Sequence, residues 1–220
     1  MTKLLLHRRV RTDAERMQVY SKIGKGPADS QEAAAGVNDM PDTKKRKDKG
    51  MNDMTDYQLE NLILHYVTEE DLTEVARTWP ADHHPLSDTE AREAIAYMRG
   101  YYGRNMKGCL FHLCMAVCEK NDPGTIMGWC GLDGTRNHSE PEIFILLDEA
   151  YRNKGYGTQC VKALLRIAAE DYALSGVHGG CAKENIASAR AMEKGGMAQY
   201  GTEENGDPLF RFAAKEKAGQ

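Results

Sequence analysis

Long apolar runs are missing from this 220-residue chain. No stretch approaches the ~20 apolar residues that a membrane-spanning helix requires, which excludes a helical membrane protein. At the N-terminus, Leu4, Leu5 and Leu6 pass at once into His7, Arg8 and Arg9 without a long apolar core. No secretory signal is read there, and the chain is expected in the cytosol. None of the six cysteines (Cys109, Cys114, Cys118, Cys130, Cys160, Cys181) forms a Cys-x-x-Cys pair. That leaves neither a disulfide framework nor a zinc site, and it implies reduced thiols. Charge of one sign is in no great excess either: a formal net charge of −4 gives no whole-chain case for nucleic-acid binding. There is no internal repeat.

What is present is unevenly spread. Residues 1–53 carry a net charge of +4 and few periodic apolar residues, whereas the remainder carries −8. Residues 1–54 therefore read as a poorly structured basic extension or a misassigned start, and residues 55–220 as the folded domain. The extension has a candidate helix over residues 12–23 and a basic run at residues 44–49. That run is a solvated linker, an interaction arm for RNA or ribosome, or the trace of a ribosome-binding site ahead of Met51 or Met54.

From residue 58 the texture changes. Leu62-Ile63-Leu64 opens an apolar, β-rich run, and Thr68 followed by Glu69, Glu70 and Asp71 caps a helix that carries Leu72, Val75 and Ala76. Ser87 and Glu90 have capping-box spacing for a helix reaching Tyr102. Residues 110–118 and 125–132 read as a hairpin around Asn121-Asp122-Pro123-Gly124. Residues 142–147 are apolar on both faces, the pattern of a central buried strand. An amphipathic helix over 157–174, a weak strand over 176–181, a short helix over 185–194 and strands at 197–201 and 209–212 complete the order. This is a mixed α/β (α+β) pattern, a sheet carrying helices.

Chemistry concentrates between the central strand and the amphipathic helix, in Tyr151-Arg152-Asn153-Lys154-Gly155-Tyr156-Gly157-Thr158. Gly155 and Gly157 allow a tight turn and close backbone approach to a ligand. The new helix presents unpaired N–H groups and the positive end of its dipole, and Arg152 and Lys154 add charge. The segment is an anion cradle suited to a pyrophosphate. It is not a Walker loop, because no Gly-Lys-Ser/Thr closes it, and it lacks the third glycine of a dinucleotide fingerprint.

Arg152-x-x-Gly155-x-Gly157 after an apolar strand resembles the acyl-CoA pyrophosphate loop of the GNAT (GCN5-related N-acetyltransferase) superfamily. Asn185-Ile186-Ala187-Ser188, followed by Glu193-Lys194-Gly195-Gly196-Met197, is similar to that family's Asn-x-x-Ser … Glu-Lys-x-Gly-Phe segment. Glu142–Ile145 leading to Tyr151-Arg152, with the opening Leu62-Ile63-Leu64, resembles the ribosomal-protein N-acetyltransferase-like branch. The resemblance spans residues 58–213. It implies a mostly antiparallel sheet of about seven strands with helices on both faces, splayed between the fourth and fifth strands. Acetyl-CoA would lie in the splay as co-substrate. Backbone groups at Ile145 and Leu147 would pair with pantetheine, amides from Asn153 to Thr158 would hold the pyrophosphate, and the Asn185 side chain would bond the pantetheine arm.

The resemblance places a carboxylate base at Glu142, with Glu140 a weaker candidate. It also places Met192 where the family often has a tyrosine acid, so the proton donor to the thiolate is left open among Ser188, Tyr156 and water. The implied activity is direct acetyl transfer from acetyl-CoA to a primary amine in a ternary complex, without metal. The acceptor amine is a protein N-terminus, a polyamine, an aminoglycoside or an amino-acid-like metabolite. The second reading is an inactive acyl-CoA-binding sensor or partner module. A homodimer is compatible with the sequence but not derivable from it. His83, His84, Trp129, Tyr101 and Tyr102 are candidates for an acceptor pocket, although core or loop roles suit them better, and Cys160 reads as packing.

Overall fold

The computed structural model describes residues 54–79 and 85–214. The basic run at 44–49, the candidate helix at 12–23 and the His83-His84 pair lie outside the described residues. In chain order the elements are β1 (Tyr57–Gln58), β2 (Leu62–His65), α1 (Leu72–Thr78), α2 (Asp88–Tyr102), β3 (His112–Glu119), β4 (Asp122–Asp133) and β5 (Glu142–Leu147). They continue with α3 (Tyr156–Arg166), β6 (Gly176–Gly180), α4 (Ile186–Gly195), β7 (Ala198–Thr202) and β8 (Pro208–Ala213). One sheet holds all eight strands in the order β1-β2-β3-β4-β5-β6-β8-β7. Every neighbouring pair is antiparallel except β5 with β6. The sheet is thus the expected one with a two-residue strand added at its edge.

Local chemistry explains the helix starts. Thr68 and Asp71 satisfy each other's backbone N–H groups in a capping box ahead of α1, and Ser87 with Glu90 does the same for α2. The hairpin is tighter than expected: Asp122, Pro123 and Gly124 belong to β4, and register shifts flank Cys118. The three residues are exposed at the strand's outer end, where proline's missing N–H costs little. The long amphipathic helix also differs. It stays α-helical only to Arg166 and then widens into a π turn, Ile167–Asp171, in which Tyr172 donates to the Ile167 carbonyl at 3.2 Å.

Helices cover both faces. On one, Trp129 of β4 donates to the Thr78 carbonyl at the end of α1 (3.0 Å) and packs edge-on against Trp79. Tyr102 of α2 donates to the Cys114 carbonyl of β3 at 2.7 Å. Trp129 and Tyr102 are therefore core residues, as their aromatic bulk suggests. On the other face, Cys130 of β4 meets Cys160 of α3, and α4 packs over α3 with Gly195 against Val161. Cys160 is fully buried. Among the described residues no helix is long and apolar enough to cross a membrane.

Two stability predictions arise here. Ala173, exposed just after the π turn, has φ 48°, a left-handed conformation that disfavours a Cβ. Ala173→Gly should raise the unfolding free energy by ~0.5 kcal/mol in urea titration, relief of strain exceeding the entropy cost of glycine. The second concerns His65, whose ring bonds Asp71 (3.0 Å) and Asp56 (2.9 Å) and ties β2 to the turn before α1. The Asp71 hydrogen bond, opposed by burial and aided by Asp56, raises its pKa to about 9. Since the folded value exceeds the unfolded one, this contribution is full below roughly pH 6.5 and is lost as pH rises toward 9. Wild-type stability should fall by ~2 kcal/mol across that window. In His65→Gln the same urea measurements should show a flatter profile.

Candidate active site

β5 and β6 share one register pair, Glu142 with His178, beside which the His178 N–H donates to the Pro141 carbonyl at 2.9 Å. Beyond that apex the strands part. β5 remains paired to β4 as far as Leu147 with Gly128, while β6 remains paired to β8 along its whole length, from Gly176 to Gly180. Each strand is held by its own half-sheet, so a V opens toward their C-terminal ends. This corrects the expectation that β5 is buried throughout: Ile143 and Phe144 are buried, but Ile145, Leu146 and Leu147 are half-exposed. The floor of the V is close-packed. A Cβ on Gly179 would come within 2.8 Å of Ile143 and 3.0 Å of the Met192 sulfur. Met192, in the place expected for a tyrosine acid, is 6% exposed and belongs to that floor.

The chain leaving β5 makes a short 3-10 turn, Glu149–Tyr151, and then the cradle. Asn153 (φ 62°) and Gly155 (φ 82°) are both left-handed, which turns the backbone sharply into α3. Gly155 is the helix N-cap. Among the described residues no side chain caps α3, and no acid lies in its first turn. The positive end of the helix thus faces outward at an open glycine, around which a Cβ would meet none of the described residues within 4 Å. Gly157 serves packing instead, since a Cβ there would touch Ala191 at 3.6 Å, the contact between α3 and α4.

Charge surrounds this turn. Lys154 Nζ stands over the rings of Tyr151 (5.1 Å) and Tyr156 (6.0 Å). Arg152 Nε donates to the Leu147 carbonyl at 2.9 Å, folding the guanidinium back onto the end of β5. The Tyr156 hydroxyl donates to Glu119 at 2.5 Å, so it braces the loop against the β3–β4 hairpin. Thr158 is half-exposed in the first turn of α3. Asn185 caps α4, its Oδ1 accepting the Ser188 N–H at 3.1 Å. Together these groups can bind a multiply charged anion whose chain runs into the V.

At the apex, pairing aligns ionisable residues across five strands: His112 with Asp133, Asp133 with Glu142, Glu142 with His178, and His178 with Arg211. Residues in register share a face, so all five lie on the α1/α2 face. Glu142 is half-buried in the middle of the row. His112, at its inner end, is stacked on Phe144 and flanked by Tyr97 and Tyr101 of α2; burial lowers its pKa, although Asp133 opposes this. Glu140 is engaged, accepting from His178 Nε2 at 2.9 Å and from Arg211. These two partners, His178 foremost, hold its carboxyl below the usual range. A carboxylate so committed is a poor proton acceptor.

Ile145, Leu147 and residues 152–158 thus lie on one continuous segment, with Glu142 at its start. Asn185 lies beyond the far wall of the V. Asp133, His178 and Arg211 are not legible as site residues in the sequence, because nothing in their local surroundings marks them. The one available signal is a single ionisable residue, His178, inside a glycine-rich strand.

A family model described as an acetyltransferase (GNAT) domain matches residues 61–198. No curated protein matches the chain. Among solved structures, the ribosomal-protein-S5-alanine acetyltransferase of Vibrio fischeri superposes with a TM-score of 0.62 at 14% identity, over 74% of this chain and 98% of that one. RimL, a ribosomal-protein α-N-acetyltransferase in complex with coenzyme A, gives 0.57 at 14% identity, over 73% and 98%. A spermidine N-acetyltransferase chimera from Vibrio cholerae and hSSAT gives 0.52 at 13% identity, over 70% and 96%. Identities this low speak for a shared fold alone. The family model spans more than half of the sequence, and on that ground the chain belongs to the GNAT acetyltransferases and is an N-acetyltransferase.

Proposed function

We propose that the chain moves an acetyl group from acetyl-CoA to a primary amine by direct transfer in a ternary complex, with a protein N-terminal amine as the preferred acceptor class. The observation that carries this reading is the continuity of three features: the carboxylate of Glu142 at the apex, the open edge of β5 along the V, and the uncapped cradle at its end. These residues fit the co-substrate. The edge beyond Ile143 has backbone groups to offer pantetheine, as an added strand would use them. Gly155 leaves room at the helix N-terminus, and Arg152, Lys154 and the amides from Asn153 to Thr158 suit a pyrophosphate. Asn185 is proposed to bond the pantetheine arm through its side-chain amide, since Oδ1 already caps α4.

Bound there, acetyl-CoA would supply the thioester carbonyl. Glu142 would take a proton from the acceptor ammonium, freeing its lone pair, and the V would hold the reactants in line. The likeness to enzymes named for ribosomal proteins, one of them an α-N-protein acetyltransferase, supports a protein acceptor, while the spermidine enzyme makes a polyamine the alternative. No nucleophilic residue is needed. The second reading, a CoA-binding sensor or partner module without transfer activity, draws on buried Met192, which offers no proton to a thiolate.

The test is acetylation of peptides with free N-terminal alanine, serine or methionine, and of spermidine, followed by mass spectrometry. Calorimetry with acetyl-CoA runs in parallel. A mass gain of one acetyl group on a peptide α-amine is expected. Binding without any acetylation would leave the sensor, and no binding by the folded chain would remove both readings.

A further inference from the structure

His178 forms the β6 side of the apex. It lies in register with Glu142 at the apex of the V, and its Nε2 is 2.9 Å from Glu140. Glu140 is anchored in turn by Arg211 from β8. Tyr200 of β7 meets the imidazole edge-on with ring centroids 5.9 Å apart. An ionised carboxylate can only accept, so Nε2 donates to Glu140, and in the neutral ring the lone pair is then on Nδ1. That Nδ1 is buried and meets no hydrogen-bonding partner among the described residues. A buried acceptor without a donor is costly to keep, and it occurs here beside the one carboxylate that the transfer reading makes the base.

We infer that His178 is a positioning residue for Glu142: held by Glu140 and Arg211, its Nδ1 receives the proton that Glu142 takes from the acceptor ammonium. The inference rests on the proposed transferase reading. One N–H bond of the ammonium breaks, its proton passes through the Glu142 carboxylate to Nδ1, and the electron pair stays on nitrogen for attack on the thioester carbon. The imidazolium that results is paired with Glu140. Glu142, ionised again, takes the second proton as the amide forms. It delivers that proton to the departing sulfur, which leaves with the electrons of the C–S bond. The first proton returns to solvent from His178 after product release. One carboxylate thereby handles both protons in turn, and a site whose floor carries Met192 in place of a tyrosine needs no separate acid. The charged and titratable groups facing His178 are Glu140 ahead of β5, Glu142 on β5, Arg211 on β8 and Tyr200 on β7, with Asp133 of β4 beyond Glu142.

Two measurements on the full chain test this. In the first, the His178 imidazole is titrated by NMR, its signal assigned with His178→Gln. Glu142→Gln should move the midpoint down by about half a pH unit or more, because a neighbouring negative charge is lost. An unmoved midpoint overturns the coupling. In the second, transfer to a peptide with a free N-terminal alanine is followed against pH. His178→Gln and the milder Glu140→Gln should each lower kcat/KM by ~10-fold or more near neutrality, with unchanged acetyl-CoA affinity. Activity should recover above the pKa of the peptide amine, where no ammonium proton need be removed. An equal loss at every pH, or a loss of acetyl-CoA binding, makes the role purely structural and overturns the inference. A wild-type chain that binds acetyl-CoA but acetylates no amine removes the transferase reading and His178's part in it. The NMR titration still reports whether the two residues share a proton.

Discussion

Gly155→Glu is expected to weaken acetyl-CoA binding by at least ~100-fold, about 2.7 kcal/mol, in calorimetry on the full chain. Gly155 caps α3 with φ 82°, and around it a Cβ would meet nothing, so a longer side chain has space but not comfortable backbone. The strain costs roughly 1–2 kcal/mol of folding stability. Part of this returns, because a carboxylate at an uncapped helix N-terminus satisfies orphan N–H groups and opposes the dipole favourably by ~0.3–1 kcal/mol. The variant should therefore fold. Its carboxylate, however, would sit in the cradle and repel a pyrophosphate while taking its hydrogen-bond donors. Gly155→Ala separates the two effects. It keeps the strain and adds no charge, and its affinity should fall less than ~10-fold. If Gly155→Glu binds acetyl-CoA like wild type, the pyrophosphate lies elsewhere.

Glu142→Gln should lower kcat by ~10²–10³ with an unchanged acetyl-CoA dissociation constant, measured with whichever amine the acceptor screen identifies. The amide keeps the size and one hydrogen-bonding oxygen of the carboxylate, so the apex pair with His178 and the neighbouring pair with Asp133 should hold their register. What it loses is the capacity to take a proton. Slower transfer by a protein that folds and binds acetyl-CoA as wild type does is the signature of a residue kept for chemistry. A kcat equal to wild type would shift the base to another member of the row.

Glu142 and Gly155 lie in segments that sequence could place, and the reason is locality. The strand at 142–147 and the helix at 88–102 run where hydrophobic pattern and the Ser87–Glu90 capping box put them. Helix caps, left-handed glycines and turn residues act over four or five positions, so the start of α3 after the glycine-rich loop was readable to within one residue. Departures occurred where a distant partner overrode the local preference. Asp122, Pro123 and Gly124 are strong turn residues, yet they extend β4 because β3 continues to Glu119 and the bulges around Cys118 absorb the mismatch. The helix beginning at Tyr156 keeps its apolar stripe past Arg166 but opens into a π turn. Pattern cannot show this, since the extra residue is set by what Tyr172 and Leu174 must reach.

The amino-acid sequence by itself determined the order of the elements, the place and charge of the glycine-rich loop before α3, and the family whose motifs these are. The splay of β5 from β6 was implied by the family resemblance, but only the tertiary structure decided that Glu142 and His178 are their one pair, and that His112, Asp133, Glu142, His178 and Arg211 form a single row. Register joins residues dozens of positions apart through backbone hydrogen bonds that any side chain permits. No local pattern therefore carries the row, and a shift of one residue would have sent its members to opposite faces.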